Sequence, residues 1–457
     1  MAGDSRLTQP RGSSSNPQAA RNASHTAQNA APNPTATAEL PLPSFHVDVA
    51  IAGGGLAGLA LAAGLQARGI EAAVFEAAPA ARRSNNSTGT ILGVYPNGFK
   101  ALEGLKPGLG DAVIACGSTV TKVKNGGSNS SNDGADEGDV EGVDVVLEIV
   151  GSNPKTEEHE IEEETGAVQQ EPQLVVVRAK VLVAADGVRS AVRNQMIGDS
   201  PRYLEQIGWN ALVSNPPNAR VYPQEDQGLL YFFDEVMGYE IYLIDVGHGK
   251  TFWQVQTADP DGQLKSKLQL TPFGGFGKPG VKDRLMCHIN KNVADPSGHD
   301  TWHTVLQAVT TTDPSNIYER WMMDRPPPKD SWSDSKCGNR VVLMGDAAHA
   351  MHPGPGQGAQ VAFEDAHQLC LCLAEIKDML AEPAAMAAAV REYEAWRIDR
   401  CVKIHAYATA AHGFGEEGNL VNALPLLEKR KMYFELQKWV QAYPDKIKGD
   451  PESTYFK

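Results

Sequence analysis

The sequence predicts an α/β fold in which a parallel-sheet nucleotide-binding unit is interrupted by an antiparallel-sheet segment. Three stretches carry that expectation: HVDVAIAGGGLAGLALAAGLQARGIEAAVFEAA from His46, KVLVAADGVRSAVR from Lys180, and YEIYLIDVGHGKTFWQVQ from Tyr239. In the first, Val47 to Ile51 read as a buried strand, because a parallel strand covered on both faces is apolar throughout. Leu56 to Ala67 read as a small-residue helix ending at Gly69, and Ala72 to Phe75 as a second strand ending in Glu76. The second stretch repeats strand, turn and helix, with Asp186 and Gly187 at the strand end and Arg189, Ser190 and Arg193 on the first helical turns. The third alternates apolar and polar residues around Gly247-His248-Gly249, the pattern of an antiparallel hairpin. Tyr231, Phe232, Tyr242, Phe252 and Trp253 belong to this region, as walls of an apolar pocket or as ordinary core.

Between β-type and helical patterns sit two loops that suit an anionic ligand. Gly53, Gly55 and Gly58 form G-x-G-x-x-G around Leu56 and Ala57. Their separate tasks are a tight turn, backbone access to a pyrophosphate, and close helix-on-strand packing in a Rossmann-like unit. Glu76, 18 residues after Gly58, is placed to take the hydroxyls of an adenosine ribose. Further along, Val341 to Met344 read as a short buried strand that ends at Gly345-Asp346. PGPGQG at 353–358 fits neither helix nor strand. From Ala359 the apolar positions Ala362, Phe363, Ala366, Leu369, Cys370 and Leu373 recur at three and four, so a helix begins there. Its N-terminus is a second anion-binding position, and Glu364 and Asp365 read as acids of its first turn.

Composition narrows the function classes. At 457 residues with 42% apolar and 21% charged content, the chain has a real core and room for two domains. Its net charge of −15 is concentrated: Asp133 to Glu171 holds fourteen Asp and Glu against Lys155 alone. That stretch reads as a solvated loop, and the near-neutral remainder offers no basic footprint for nucleic acid. No apolar run reaches the roughly 20 residues of a membrane span. Six scattered cysteines without a CxxC pair argue against a disulfide framework or zinc site. The HxxH at His349 and His352 has no third clustered ligand, so no metal is expected.

Taken together and in order, GGGLAGL with Glu76, ADGVRSAVR, and RVVLMGDAAHAMHPGPGQGAQVAFEDA resemble the FAD-dependent aromatic-ring hydroxylase and epoxidase family, the group A flavoprotein monooxygenases. GTILGVYPNGFKALEGL, WMMDRPPPKDSW and YEAWRIDR are linking pieces that agree, and the likeness runs from about residue 45 to 410. The resemblance implies FAD as cofactor, NAD(P)H as co-substrate, and oxygen transfer to an aromatic or olefinic small molecule through a flavin C4a-hydroperoxide. It places Gly53, Gly55, Leu56, Ala57, Gly58, Glu76, Arg83, Asp186, Asp346, Pro353, Gly356, Gly358 and Ala359 at the cofactor, with Asp346 on the ribityl chain and the 353–358 loop beside the isoalloxazine. The helix N-terminus there faces the pyrimidine edge, where reduced flavin is negative. No catalytic acid or base stands out. Arg189 and Arg193 are candidates for the transient NAD(P)H contact or plain helix-surface charges.

The expected organisation is a tail or transit segment (1–44), three FAD-domain parts (45–120, 173–200, 316–412), an acidic insertion (121–172), an antiparallel-sheet substrate domain (201–315) and a C-terminal helical segment (413–457). Location is then cytoplasmic, or plastid if the first 44 residues address one. The oligomeric state is not legible. One departure from the family is plain: no R-x-x-L occurs between Lys100 and Val175. The family's arginine in that pattern contacts the flavin nucleotide, so a degenerate, inactive flavin-binding protein is the alternative.

Overall fold

The computed structural model of the chain describes residues 44–77, 91–115, 143–149, 173–214, 229–234, 239–247, 249–259, 261–262, 275–292 and 300–411. β1 (Ser44–Ala52) leads through the glycine turn into α1 (Leu56–Ala67) and β2 (Ala72–Phe75), which lies parallel to β1 from Val49↔Ala72 to Ala52↔Phe75. α2 (Pro96–Leu105) starts on a proline, whose missing N–H is harmless in a first turn, and α3 (Leu109–Ala115) follows. β3 (Val143–Ile149) is a strand inside the acidic stretch that reads as a loop. There VDVVLEI alternates, and it pairs antiparallel with the N-terminal half of β4 (Gln173–Ala184), from Val143↔Ala179 to Ile149↔Gln173. Local alternation outweighs the surrounding charge. α4 (Ala191–Met196) then completes the second strand-turn-helix unit.

The chain next builds β5 (Arg202–Ser214), β6 (Leu229–Asp234), β7 (Tyr239–Gly247), β8 (Lys250–Ala258) and β9 (Gly275–Phe276). α5 (Val281–Asn292) and α6 (Asp300–Thr311) follow, and β10 (Tyr318–Asp324) closes the group. These strands form a six-stranded antiparallel sheet in the order β6-β7-β8-β5-β10-β9. β10 pairs with β5, so the sheet runs on to Asp324, past residue 315. Ile207, Trp209, Trp253 and Val255 pack with Val281, Leu285 and Ile289 of α5 into its core. Trp253 is therefore core, and its indole donates to Thr312 Oγ1 at 2.8 Å.

β11 (Val341–Leu343), the short α7 (Asp346–His349), α8 (Gly358–Glu375) and α9 (Pro383–Ala411) return the chain to the first sheet. That sheet is ordered β11-β4-β1-β2, all parallel, with β3 and β11 sharing one edge of β4. Its core joins Val49, Ile51, Leu61, Leu65, Val181, Val183 and Leu343 to Phe363 and Leu369 of α8. α1 crosses α2 and α8 closely at Gly64, where a Cβ would stand 2.3 Å from Leu105 Cδ2 and 3.0 Å from Cys370 Sγ. No helix among the described residues is long and apolar enough to cross a membrane.

Candidate cofactor site

The C-terminal ends of β1, β4 and β11 and the N-termini of α1 and α8 converge, the place where open α/β sheets bind ligands. Gly53 adopts φ +108°, and a Cβ on it would meet Ala185 O at 2.3 Å and Asp186 Cα at 3.0 Å. This seats the first turn against the end of β4. A Cβ on Gly58 would lie 2.1 Å from Gly53 O, so the third glycine lets α1 press onto the turn. Gly55 has nothing within 4 Å of such an atom. It caps α1 with no side-chain hydrogen bond, and the free N–H groups of the first turn face that open space. The Gly54 N–H donates to Glu76 Oε2 at 2.6 Å, so the acid at the end of β2 is fastened beside the glycine turn. Leu56 is exposed and Ala57 touches the Gly345 turn, where a Cβ would be 3.0 Å from Ala57 Cβ.

Asp346 is the distinctive group. From Val341 to His352 every residue is buried except this one, which is exposed. Protein nevertheless surrounds it: burial, eased by nearby His349, pushes its carboxyl above the ordinary carboxylate value. A side chain enclosed by protein yet open to solvent faces a cleft. A Cβ built on Gly358 would have Asp346 Oδ1 as its one neighbour within 4 Å, at 4.0 Å, so the start of the next helix is open beside this carboxylate. α8 starts at Gly358 with no side-chain cap, leaving its first N–H groups for a ligand, next to Ala359. Gly356 turns at φ +68° against the Tyr95 ring, and its N–H closes on Pro353 O at 2.9 Å. Pro353 itself is exposed. Asp186 caps α4 through Oδ2 to the Ala191 N–H at 2.8 Å, while its buried Oδ1 has no partner.

These observations fit FAD. Two uncapped helix starts and the exposed Asp346 carboxylate gather at the ends of β1, β4 and β11, and Asp186 Oδ1, at the end of β4, is buried without a partner. Arg83 lies outside the described residues, and no arginine between Lys100 and Val175 replaces the family's R-x-x-L arginine.

Several residues that matter here escape the sequence reading. Gln360 accepts from the Tyr95 N–H at 3.1 Å and donates to Gly93 O at 2.6 Å, while Asn97 Nδ2 donates to Gln357 Oε1 and Glu364 Oε1. They stitch the VYPNG segment to the start of α8. Glu364 and Asp365 are not first-turn acids; they are the seventh and eighth residues of α8 and fully buried. Arg397 of α9 bonds both, at 2.7 Å each, and Arg400 adds 2.6 Å to Glu364. Burial raises both carboxyls, but Arg400 and Arg397 bring Glu364 below its usual value, and His349 and Arg397 do the same for Asp365. The i, i+3 spacing of the two arginines in YEAWRIDR was the available signal.

Buried His349, Asp365 and Cys401 bring potential metal ligands together. Protein donors already occupy both Asp365 oxygens: Gly345 N–H and His349 reach Oδ2, and Arg397 reaches Oδ1. His352 lies elsewhere, its Nε2 2.9 Å from Gln206 Oε1. Arg193 is also committed rather than available to a nicotinamide cofactor. It is buried, paired with Asp199 and donating to Ala347 O and Ala348 O at 3.1 and 2.7 Å.

The FAD binding domain family matches residues 291–399. The chain is 27% identical to the aurachin C monooxygenase/isomerase of Stigmatella aurantiaca, over 84% of this chain and 93% of that protein. It is 28% identical to the 3-amino-4-hydroxybenzoate 2-monooxygenase of Streptomyces cremeus, over 79% and 86%. Klebsiella pneumoniae HpxO, solved with FAD and uric acid, superposes with a TM-score of 0.55 at 22% identity, covering 86% of this chain and 93% of that one, a likeness of fold. The glycine turn, the Asp346 carboxylate and these relatives agree: the chain carries an FAD binding domain and is similar to FAD-dependent monooxygenases.

Proposed function

We propose that this FAD-dependent monooxygenase takes its electrons from NADPH or NADH and inserts one oxygen atom of O2 into a small aromatic or olefinic molecule, by hydroxylation or epoxidation. FAD supplies the redox chemistry, accepting the hydride and activating oxygen. The chain's residues bind and orient. The α1 N-terminus behind Gly55 would hold the pyrophosphate, Glu76 the ribose end and Asp346 the ribityl hydroxyls. The uncapped start of α8 would stabilise negative charge on the reduced ring. The antiparallel sheet would cover the ring and keep water from it.

The observation that carries this reading is Asp346, an enclosed acid facing a cleft amid buried residues. The aurachin C monooxygenase/isomerase and the 3-amino-4-hydroxybenzoate 2-monooxygenase, whose names state monooxygenation, support it. The test is the visible spectrum of purified protein. Flavin bands that bleach with NADPH or NADH under argon and recover with air are expected. A colourless protein that cannot be reconstituted with FAD would sink the proposal.

A further inference from the structure

The stretch of chain that leads into the PGPGQG turn is held from the antiparallel sheet at two points. The Arg325 N–H, just past β10, donates to Ala350 O at 2.8 Å. Two residues on, the ring of His352 lies against Gln206 of β5, with its Nε2 2.9 Å from Gln206 Oε1. Both side chains are buried. The other ring nitrogen, Nδ1, accepts from the Gly354 N–H at 3.1 Å, inside the turn itself.

These bonds fix where the ring carries its hydrogen. A backbone N–H at Nδ1 makes that nitrogen the acceptor, so Nε2 bears the hydrogen and donates to Gln206 Oε1. Turning the amide round would set the donor Gln206 Nε2 against Nε2, and a neutral imidazole cannot accept at both nitrogens. Only one arrangement of the two side chains is self-consistent. The backbone of β5 is distorted to reach it. Ile207 pairs with Trp321 and Tyr203 with Met323, so Leu204, Glu205 and Gln206 stand opposite Met322 alone. Glu205 takes φ +50°, a left-handed conformation that, apart from glycines, it shares only with Asn339 among the described residues. Bulges re-aim side chains, and backbone strain gathers where a site over-determines the chain. Here the bulge delivers Gln206 to His352.

Resting on the FAD reading above, we propose that Gln206 is a positioning residue for the cofactor loop. By holding His352 in its Nε2–H form it keeps Nδ1 open to the Gly354 N–H, and so fixes the 353–358 turn beside the isoalloxazine. Without Gln206 the ring is free to take the Nδ1–H form, which sets two donors face to face at Gly354. The turn then loses the bond that closes its first residues, and the flavin loses a rigid wall. Gln206 acts through His352 and touches no reacting atom.

The test compares FAD-loaded parent, Gln206→Leu, His352→Phe, and Gln206→Leu combined with His352→Asn. FAD affinity is read from the flavin fluorescence released on dilution. Ring tautomers are read by nitrogen-15 NMR of histidine-labelled protein, the His352 signal being the one missing from His352→Phe. The parent should show His352 as Nε2–H. Gln206→Leu should lose that signature and hold FAD about fivefold more weakly, the scale of one buried hydrogen bond. Asparagine puts an oxygen where Nδ1 was, able to accept from the N–H two residues on whatever Gln206 does. The combined variant should therefore return to within about twofold of the parent, a rescue that independent sites would not give. Parent-like affinity in Gln206→Leu, no rescue by asparagine, or an Nδ1–H ring in the parent overturns the assignment. If Gln206→Leu does not fold, the parent's tautomer and His352→Phe decide, and unchanged FAD affinity in His352→Phe overturns it. A parent that binds no FAD overturns the FAD reading as well.

Discussion

Two groups of acids, side by side around the start of α8, are treated in opposite ways. Glu364 and Asp365 are fully buried, and Arg397, Arg400, Asn97, His349 and the Gly345 N–H supply donors to their carboxylates. Asp346 is exposed, and no described residue donates a hydrogen bond to it. The protein completes the first pair and leaves the second group for something it does not itself contain. The difference separates residues that hold the fold from residues that hold the cofactor, which neither residue type nor sequence position could do.

The sharpest way to break the comparison is Arg397→Ala. It strips Glu364 and Asp365 of a shared cation inside the core, so about 3–5 kcal/mol of stability should go. Urea unfolding of the FAD-free protein measures it; a loss under about 1 kcal/mol would mean that Arg400 and His349 suffice.

Asp346→Ala should do the reverse. Without FAD the variant should be as stable as the parent or more so, since an ionised acid whose pKa is raised by folding opposes folding above its unfolded value. FAD binding should weaken by roughly 1.5–3 kcal/mol, about ten- to a hundredfold and more. Gel filtration followed by flavin absorbance reads it. Stoichiometric FAD in the variant would place the ribityl chain elsewhere.

The glycines refine the same distinction at smaller scale. Gly55→Val meets no protein atom within 4 Å of its new Cβ, whereas Gly58→Val runs into Gly53 O at 2.1 Å. The first should lose FAD and keep its melting temperature. The second should lose both, with overpacking costing about 1–3 kcal/mol. Gly64→Ala, whose place in a small-residue helix suggests it is harmless, presses on Leu105 and should cost stability alone. Equal flavin content in Gly55→Val and the parent would show that the space above Gly55 is not the phosphate site.

Much of this was legible. β1, α1 and β2 appear where periodicity put them, because a small-residue helix between two apolar strands has few other solutions. The start of α8 was legible for the same reason. Its far side was not. Gln360, Glu364, Asp365, His367 and Gln368 look like a solvated face, yet all are buried, because α2 and α9 bring their own polar groups to meet them. Periodicity reports which residues avoid water and says nothing about polar residues that find partners far along the chain.

The shared edge of β4 has a consequence in time. β11 joins that edge at Leu182 to Ala184, and its own residues, Val341 to Leu343, are made long after β1 and β4. At a synthesis rate of about 5–20 residues per second, the sheet waits roughly ten to thirty seconds for its last strand. During that interval β4 presents an unpaired apolar edge at Leu182 to Ala184, beyond the part that β3 holds, and the antiparallel sheet can assemble in between. Slowing elongation ahead of β11, or making protein faster than chaperones can hold it, should therefore reduce yield through strand-edge association before any defect in the finished fold is felt.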